Sequence, residues 1–245
     1  MKKIALMLPP MSLEERYGKA IASVAGTFPP LGLLYLGTVL KDAGHKVTIL
    51  DGSMTDFQHM LDTITREKPD VIGISVMTFL WPKVKDIIAR LKNLLPDAFI
   101  VIGGVHATIA GKKCLEESAI LDAVVYGEGE FTLLELVECL EKKQPFTAVK
   151  GLIYRDGGQV KENEPRPVME NIDKLPVPDR SLVPIADYLP AFSQYRKLPV
   201  TNMFTTRGCP FRCIFCIPDV LGKRCASAAR SRSSMRSNTC RRSTA

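Results

Sequence analysis

The stretch Phe99-Ile100-Val101-Ile102-Gly103-Gly104-Val105-His106-Ala107-Thr108 joins a wholly apolar run to a glycine pair and a histidine. An apolar run without polar alternation is typical of a strand that is buried on both faces of a parallel sheet. Ligands of open α/β sheets bind beyond the carboxyl ends of such strands, which is where Gly103, Gly104 and His106 fall. Glycines at that place let the backbone approach a ligand closely, but they also make tight turns, and both interpretations stay open.

Similar apolar runs occur on both sides of this stretch, and segments with helical spacing of apolar residues separate them. The predicted strands are Lys3–Leu8, His45–Asp51, Val71–Val76, Phe99–Ile102 and Ala123–Tyr126. The predicted helices are Leu31–Ala43, a stripe from Phe57 to Ile64, a stripe from Val84 to Leu91, and Glu130–Lys143. This alternation predicts an α/β fold, with a doubly wound, parallel five-stranded domain over residues 1–145 and helices on both faces of its sheet.

The composition changes after this first domain. Gly151–Tyr154 and Gln159–Glu162 flank Asp156-Gly157-Gly158, a pattern that predicts a β-hairpin. Residues 165–199 hold seven prolines, too many for a core element. Residues 146–199 are therefore interpreted as a hairpin and a proline-rich linker that wraps or spaces domains. Val200–Thr205 is predicted to be one more strand, and residues 200–222 to be the start of a second domain.

The net charge of +7 lies entirely in the last 23 residues. Residues 223–245 carry seven basic side chains and no acidic one, whereas the residues before them carry 26 of each sign. A basic surface over the whole body of the protein is therefore excluded. Residues 223–245 are predicted to be a basic, disordered tail because they lack leucine, isoleucine, valine and aromatics. No apolar run approaches the roughly 20 residues that span a bilayer, and we expect a cytoplasmic protein without a membrane span.

Three further loops follow predicted strands or precede predicted helices, and their composition is unusual. They are Phe28-Pro29-Pro30-Leu31-Gly32, Met77-Thr78-Phe79 and Gly127-Glu128-Gly129-Glu130. Parallel strands bring such loops to one edge of the sheet. His106 is the one histidine of the chain at a strand end of this kind, and a role in stabilising its loop is as compatible with the pattern as contact with a ligand.

Three cysteines stand close together in Arg207-Gly208-Cys209-Pro210-Phe211-Arg212-Cys213-Ile214-Phe215-Cys216, with the spacing Cys-x3-Cys-x2-Cys. Three thiolates in one loop can hold three corners of a cubane iron–sulfur cluster. The alternative is a structural zinc site, which needs a fourth ligand, and Cys225 is the nearest candidate. Cys114 and Cys139 lie in predicted helices and are interpreted as packing residues.

The loops and the cysteine motif, in this order, resemble those of B12-dependent radical SAM proteins. The matching segments are Pro29-Pro30-Leu31-Gly32-Leu33, Ile102–Thr108 and Val125–Glu130. The resemblance implies a flavodoxin-like, Rossmann-like sheet whose strand ends hold cobalamin. It differs from better-known cobalamin modules, because Leu8-Pro9-Pro10-Met11 replaces their Asp-x-His-x-x-Gly after the first strand, which implies base-off cobalamin without a histidine from that loop. The residues implied to contact cobalamin are Thr78, Gly103, Gly104, His106, Gly127, Glu128 and Gly129.

The same resemblance implies a [4Fe-4S] cluster on Cys209, Cys213 and Cys216, with S-adenosylmethionine bound at the open iron and Phe215 packed near its adenine. The implied function is methyl transfer to, or oxidative cyclisation of, a small-molecule substrate, with an electron donor such as a flavodoxin or ferredoxin as partner. The alternative is a non-catalytic corrinoid-binding carrier module with a zinc-stapled C-terminal end. A nucleic-acid-binding tail is a third interpretation, but no aromatic residues interleave its arginines.

A radical SAM barrel needs roughly 200 residues, judged by the size of βα barrels. Only 29 residues follow Cys216, so we expect this chain to hold an incomplete barrel and to be catalytically incomplete. Back-translation of residues 224–245 with permitted codons allows a second frame that reads as a short strand and an amphipathic helix. This motivates the hypothesis that the tail is read in a shifted frame; a stop codon in that frame of the gene would contradict it.

Overall fold

The computed structural model describes residues 1–198, 200–211, 213–217 and 225–229. These residues form a seven-stranded sheet in the order β2-β1-β3-β4-β5-β6-β7, whose first five strands are parallel. The order 2-1-3-4-5 is that of a flavodoxin-like doubly wound sheet, so the predicted fold class is confirmed. The parallel strands are β1 Lys3–Leu8, β2 Lys46–Asp51, β3 Val71–Ser75, β4 Phe99–Gly103 and β5 Ala123–Val125.

Helices cover both faces of this sheet and bury it. One face packs against α4 and α5 through residues such as Ile64 and Ile88, and the other packs against α3 and α8 through residues such as Leu40 and Leu136. This two-sided burial explains why the parallel strands are continuous apolar runs. The helices are α1 Leu13–Tyr17, α2 Lys19–Ala22, α3 Leu31–Asp42, α4 Phe57–Glu67, α5 Trp81–Leu94, α6 Val105–Ala110, α7 Lys112–Glu117 and α8 Glu130–Lys142.

The ends of the long helices follow from local chemistry. Asp56 caps α4 by accepting a hydrogen bond from the backbone N–H of His59, and the helix ends at Lys68, which is left-handed (φ 49°) and precedes a proline. Pro82 fits in the first turn of α5 because backbone N–H groups of a first turn have no intrahelical acceptor. The N–H that proline lacks therefore costs the helix no hydrogen bond. The short helices α1, α2 and α6 were not predicted, since four to six residues show no helical period.

The predicted hairpin is present, but it belongs to the sheet. Its strands, β6 Leu152–Asp156 and β7 Gln159–Glu162, are antiparallel, and β6 pairs with β5 so that Ile153 lies opposite Val124. Leu152, Ile153 and Tyr154 are buried. Because three consecutive buried residues extend the core on both faces, the hairpin completes the first domain instead of starting the linker.

The proline-rich segment wraps the domain. Residues 165–198, here called the strap, contain four short 3-10 turns and run across α3. Leu175, Val183, Ile185 and Tyr188 of the strap are buried against residues of α3 that include Tyr35. A chain rich in proline cannot form a helix or an inner strand, but it can still bury apolar side chains between its turns.

The predicted strand Val200–Thr205 is wrong. A strand is present only at β8 Thr206–Arg207, which pairs with β9 Ala226–Ser227 in a two-stranded antiparallel sheet. Ahead of it, the carbonyl of Asn202 accepts a hydrogen bond from the buried side chain of Arg180, so this backbone is paired with a side chain instead of a strand. β9 also interrupts the predicted disordered tail; residues 223, 224 and 230–245 of that tail lie outside the described residues.

No helix in the described part of the chain combines the length and the apolar character that a membrane crossing requires.

Candidate functional site

A cavity of about 500 Å³ opens at the carboxyl ends of β1, β3, β4 and β5. It lies between the sheet and the helices α3 and α8, and its inner wall is apolar. The segment before the cysteines closes one side of it, since Phe204, Thr206, Arg207 and Gly208 belong to the lining. The apolar lining includes Leu6, Leu8, Leu33, Leu36, Val101 and Leu133.

Glycines shape the strand-end side of this cavity. A Cβ at Gly73 would lie 2.9 Å from Leu6 Cδ2, so a side chain there would displace the end of the Leu6 side chain. Gly104 has φ +91°, and its Cβ would meet Ser75 Oγ and the backbone of Val76 at 3.1 Å. Gly127 has φ +74° but open space beside it. The turn interpretation therefore holds for both Gly104 and Gly127, and Gly127 also leaves free room at the cavity.

Five of the residues predicted to contact cobalamin meet at this cavity. Gly103 and Gly104 come from the end of β4, and Gly127, Glu128 and Gly129 come from the β5–α8 loop. The parallel arrangement of β4 and β5 brings the two loops to the same edge. The two loops therefore lie side by side at the cavity, and their contact with cobalamin stays a prediction.

Thr78 and His106 lie outside the lining of this cavity. They contact each other instead, with His106 Nδ1 3.4 Å from Thr78 Oγ1, and the imidazole packs on the ring of Trp81 at a centroid distance of 5.1 Å. His106 is 8% exposed, and burial lowers its pKa below the ordinary value, so the ring is neutral at neutral pH. This placement favours the loop-stabilising interpretation of His106.

Arg207 is the site residue that the sequence analysis missed. Its guanidinium lies 3.1 Å from Glu128 Oε1 and 2.7 Å from Glu130 Oε1, and it stands over the rings of Tyr35 and Phe204. Burial opposes its charge, but the carboxylates of Glu130 and Glu128 outweigh burial and hold the pKa of Arg207 above its ordinary value. The available signal was charge: two acidic residues in the loop after the fifth predicted strand, and an arginine two residues before the first motif cysteine.

The three motif cysteines are exposed free thiols. They follow β8 on a loop with a turn in which the N–H of Cys216 donates to the carbonyl of Cys213 at 3.0 Å. Within the described ranges, no three histidine, cysteine, aspartate or glutamate side chains are placed to hold a metal ion, so the structure does not gather Cys209, Cys213 and Cys216. Phe215 is 90% exposed, and Cys225 is an exposed free thiol as well.

Cys114 and Cys139 lie on α7 and α8, as predicted from the helical pattern. Cys114 is 1% exposed, and burial raises the pKa of its thiol to about 11. Burial also raises the pKa of Cys139. A protonated, buried thiol is a poor nucleophile and a poor metal ligand, so both residues behave as packing residues.

A second cavity of about 250 Å³ adjoins the first and shares Leu8, Pro30 and Ser75 with it. Its lining is more polar and includes Asp51 and Asn202, whose Oδ1 is buried without a hydrogen-bond partner. The Leu8-Pro9-Pro10-Met11 loop forms part of its wall and brings no histidine.

Comparison with known proteins decides the family. Residues 18–137 match the family described as the B12 binding domain. An uncharacterized methyltransferase of Pyrococcus horikoshii is 36% identical over 226 residues, which cover 91% of this chain and 47% of that protein. The anaerobic magnesium-protoporphyrin IX monomethyl ester cyclase of Cereibacter sphaeroides is 30% identical over 210 residues, which cover 83% of this chain and 34% of that protein. The chain contains a B12-binding domain over residues 18–137.

The fold of this B12-binding-domain protein is shared with a solved structure. The cobalamin-dependent S-adenosylmethionine radical enzyme OxsB, with aqua-cobalamin and S-adenosylmethionine bound, superposes with a TM-score of 0.78 at 23% identity. The superposition covers 99% of this chain and 32% of OxsB. The chain spans about half the length of the Pyrococcus relative and about a third of the Cereibacter cyclase.

The B12-binding domain match and the structural domain have different limits. The match begins at residue 18 and ends at residue 137, whereas the sheet also includes β1, β6 and β7. All five glycine-loop residues at the cavity lie inside the match. Arg207 and the other lining residues of segment 204–208 lie outside it, so the wall that they contribute is an addition to the B12-binding domain.

Proposed function

We propose that this chain binds cobalamin at the carboxyl ends of β1, β3, β4 and β5, as part of a radical SAM enzyme of the methyl-transfer or oxidative-cyclisation type. The observation that carries the proposal is the 500 Å³ cavity, because the loops that resemble the family's cobalamin loops line it. Membership of the B12-binding family supports the same ligand. The substrate is proposed to be a small molecule, and the partner an electron donor of the flavodoxin or ferredoxin kind.

The size and the lining of the cavity suit one part of cobalamin. Ligand pockets in proteins commonly measure about 300–1,000 Å³, so this one accepts a flat aromatic group but not the whole corrin ring together with its nucleotide tail. Its apolar wall favours the benzimidazole base, at roughly 25 cal/mol for each Å² of apolar surface removed from water. The corrin ring would then lie outside, on the strand-end loops. Bound cobalamin supplies a transferable methyl group.

The chain's own residues would orient this ligand. Leu33, Leu36 and Leu133 exclude water from the base, while Gly127 leaves space for a group to approach the backbone. The loop after β1 brings proline and methionine to the second cavity, which agrees with a cobalamin that receives no histidine from that loop. The buried, unpaired Oδ1 of Asn202 can accept a hydrogen bond from an amide group at the edge of the corrin.

For the cysteine loop we propose a [4Fe-4S] cluster held by Cys209, Cys213 and Cys216, with S-adenosylmethionine bound beside it and Phe215 against the adenine. The spacing of the three cysteines supports this, as does the exposure of all three thiols on a loop that starts at the cavity wall. The thiols are not gathered in this structure, so the loop has to rearrange when a cluster is built. The zinc-stapled carrier is the competing proposal for the same loop.

The proposal is tested by ligand retention. The full chain is incubated with hydroxocobalamin, desalted, and its absorbance spectrum recorded, and the same is done with cobinamide, which has the corrin ring but no nucleotide base. We expect retention of hydroxocobalamin with a base-off spectrum and at least tenfold weaker retention of cobinamide. Loss of hydroxocobalamin on desalting contradicts cobalamin binding, and equal retention of the two corrinoids contradicts the assignment of the cavity to the base.

A further inference from the structure

Arg207 connects three separate parts of the molecule. It lies two residues before Cys209, at the end of β8, and its side chain is only 10% exposed. Its guanidinium binds Glu128 and Glu130, which flank the start of α8 and whose side chains are each 6% exposed. The other oxygen of Glu128 accepts a 2.5 Å hydrogen bond from the backbone N–H of Met169 in the strap.

Arg207 is the cation that pairs with both Glu128 and Glu130 in the described part of the chain. Glu128 and Glu130 lie two positions apart and are nearly buried, and Arg207 bridges both. Removal of one partner from a buried ion pair is strongly destabilising because it leaves charge without compensation. The ion pairs of Arg207 therefore stabilise the contact between segment 204–208 and the loop between β5 and α8.

The same segment is a wall of the cavity. Phe204, Thr206, Arg207 and Gly208 line it together with the glycine loops, and Phe204 stacks on Tyr35 of α3 at a centroid distance of 5.9 Å. Gly208, with φ +90°, turns the chain directly from this wall into the cysteine loop. A ligand that fills the cavity therefore touches a segment that continues without interruption into Cys209.

We propose that Arg207 is a positioning residue that couples occupancy of the cavity to the docking of residues 204–208, which lead directly into the cysteine loop. With Arg207 locked on Glu128 and Glu130, a ligand in the cavity stabilises the docked form of residues 204–208, and the docked form closes the cavity around the ligand. Such coupling is reciprocal, because each event favours the other by the same factor. This inference rests on the proposed function, since the ligand in question is cobalamin.

The test compares Arg207→Met with a matched control, Arg166→Met. Arg166 is also largely buried and forms an ion pair, with Glu135, but it does not line the cavity. The full-length variants are titrated with hydroxocobalamin, and hydrogen exchange of the peptide that covers residues 204–208 is recorded with and without ligand. Far-UV circular dichroism checks that each variant is folded, and the double variant Glu128→Gln/Glu130→Gln removes the charge pairing from the other side.

In the parent chain and in Arg166→Met, we expect hydroxocobalamin to slow exchange in residues 204–208 by about tenfold or more, within the usual range of coupling between sites. In Arg207→Met and in the double glutamine variant, we expect this slowing to disappear and the affinity to fall about tenfold. If Arg207→Met binds hydroxocobalamin as Arg166→Met does and keeps the ligand-dependent slowing, the coupling is overturned and cobalamin binding stands. If the parent chain does not bind hydroxocobalamin, both the proposed function and the coupling are overturned.

Discussion

The hydroxyl of Tyr188 donates a 2.9 Å hydrogen bond to Asp51 Oδ2, and thereby joins the strap to the carboxyl end of β2. Both residues are nearly buried, at 2% and 6% exposure. The second oxygen of Asp51 accepts hydrogen bonds from the backbone and the hydroxyl of Ser53. The strap is therefore part of the cooperative fold and fixes a wall of the second cavity.

Replacement of Tyr188 by phenylalanine tests this tether. Tyr188→Phe leaves one oxygen of a buried carboxylate without its donor, which costs about 1–3 kcal/mol. We expect the free energy of unfolding in urea to fall by that amount with little change of the m-value. Tyr17→Phe is the control, since Tyr17 is exposed, and it should leave stability unchanged. Equal stabilities of the two variants would contradict the tether.

Alkaline pH gives a second measure of the same bond. Burial, together with the charge of Asp51, raises the pKa of Tyr188 above its ordinary value of about 10. A raised pKa in the folded state means that the contribution to stability is complete below pH 10 and is lost as the pH rises further. The stability difference between the parent and Tyr188→Phe should therefore shrink above pH 10, as followed by urea unfolding from pH 8 to 11. A difference that stays constant up to pH 11 would contradict the assignment.

The reactivity of the cysteines is predicted from their burial. At pH 8 the exposed thiols of Cys209, Cys213 and Cys216 should be alkylated by iodoacetamide, while Cys114, with its pKa of about 11, should react only after unfolding. Peptide mass spectrometry of the native and the urea-unfolded chain measures each site. Rapid labelling of Cys114 in the native chain would show that α7 does not protect it as the structure describes.

Metal content separates the two proposals for the cysteine loop. After anaerobic incubation with iron and sulfide, we expect about four irons for each chain and an iron–sulfur signal in electron paramagnetic resonance. Replacement of Cys209, Cys213 and Cys216 together by alanine should abolish this signal, whereas Cys225→Ala should keep it. One zinc for each chain that is lost in Cys225→Ala would favour the zinc-stapled carrier, and a cluster signal in the triple variant would refute the ligand assignment.

The sequence predicted the parts of this fold that depend on local patterns. The parallel strands are continuous apolar runs because helices cover both faces, and the strand-end glycines mark one edge of the sheet. The strap and the membership of β6 in the sheet depend on contacts between distant residues, such as Ile153 with Val124, and periodicity does not encode these contacts. The same reason hid the ion pairs of Arg207, whose partners lie 77 and 79 positions away.

The assignment of His106 to the cavity shows a different limit. Its place after a strand was predicted correctly, but the direction of its side chain depends on the turn of α6 and on the neighbouring Trp81. The glycines needed no such information, because the backbone itself forms the wall at Gly103 and Gly127. Backbone sites are therefore easier to predict from a motif than side-chain sites.

Gly32 offers a test in which ligand binding and stability change in opposite directions. It lies in the first turn of α3, at the cavity, and a Cβ built there meets no atom within 4 Å. Gly32→Ala should raise the free energy of unfolding by roughly 0.5–1 kcal/mol, because glycine loses more backbone freedom in a helix than alanine does. Gly32→Leu should keep that gain, since open space receives the side chain.

Binding should respond to the size of the new side chain. Gly32→Ala should retain hydroxocobalamin nearly as well as the parent, while Gly32→Leu should weaken retention about tenfold or more because its side chain occupies space at the cavity. Urea unfolding and equilibrium dialysis on the same preparations measure the two effects. A folded Gly32→Leu chain that binds hydroxocobalamin as tightly as the parent would contradict the proposed site. The leucine would then obstruct the cavity without weakening binding, so the ligand would have to bind elsewhere.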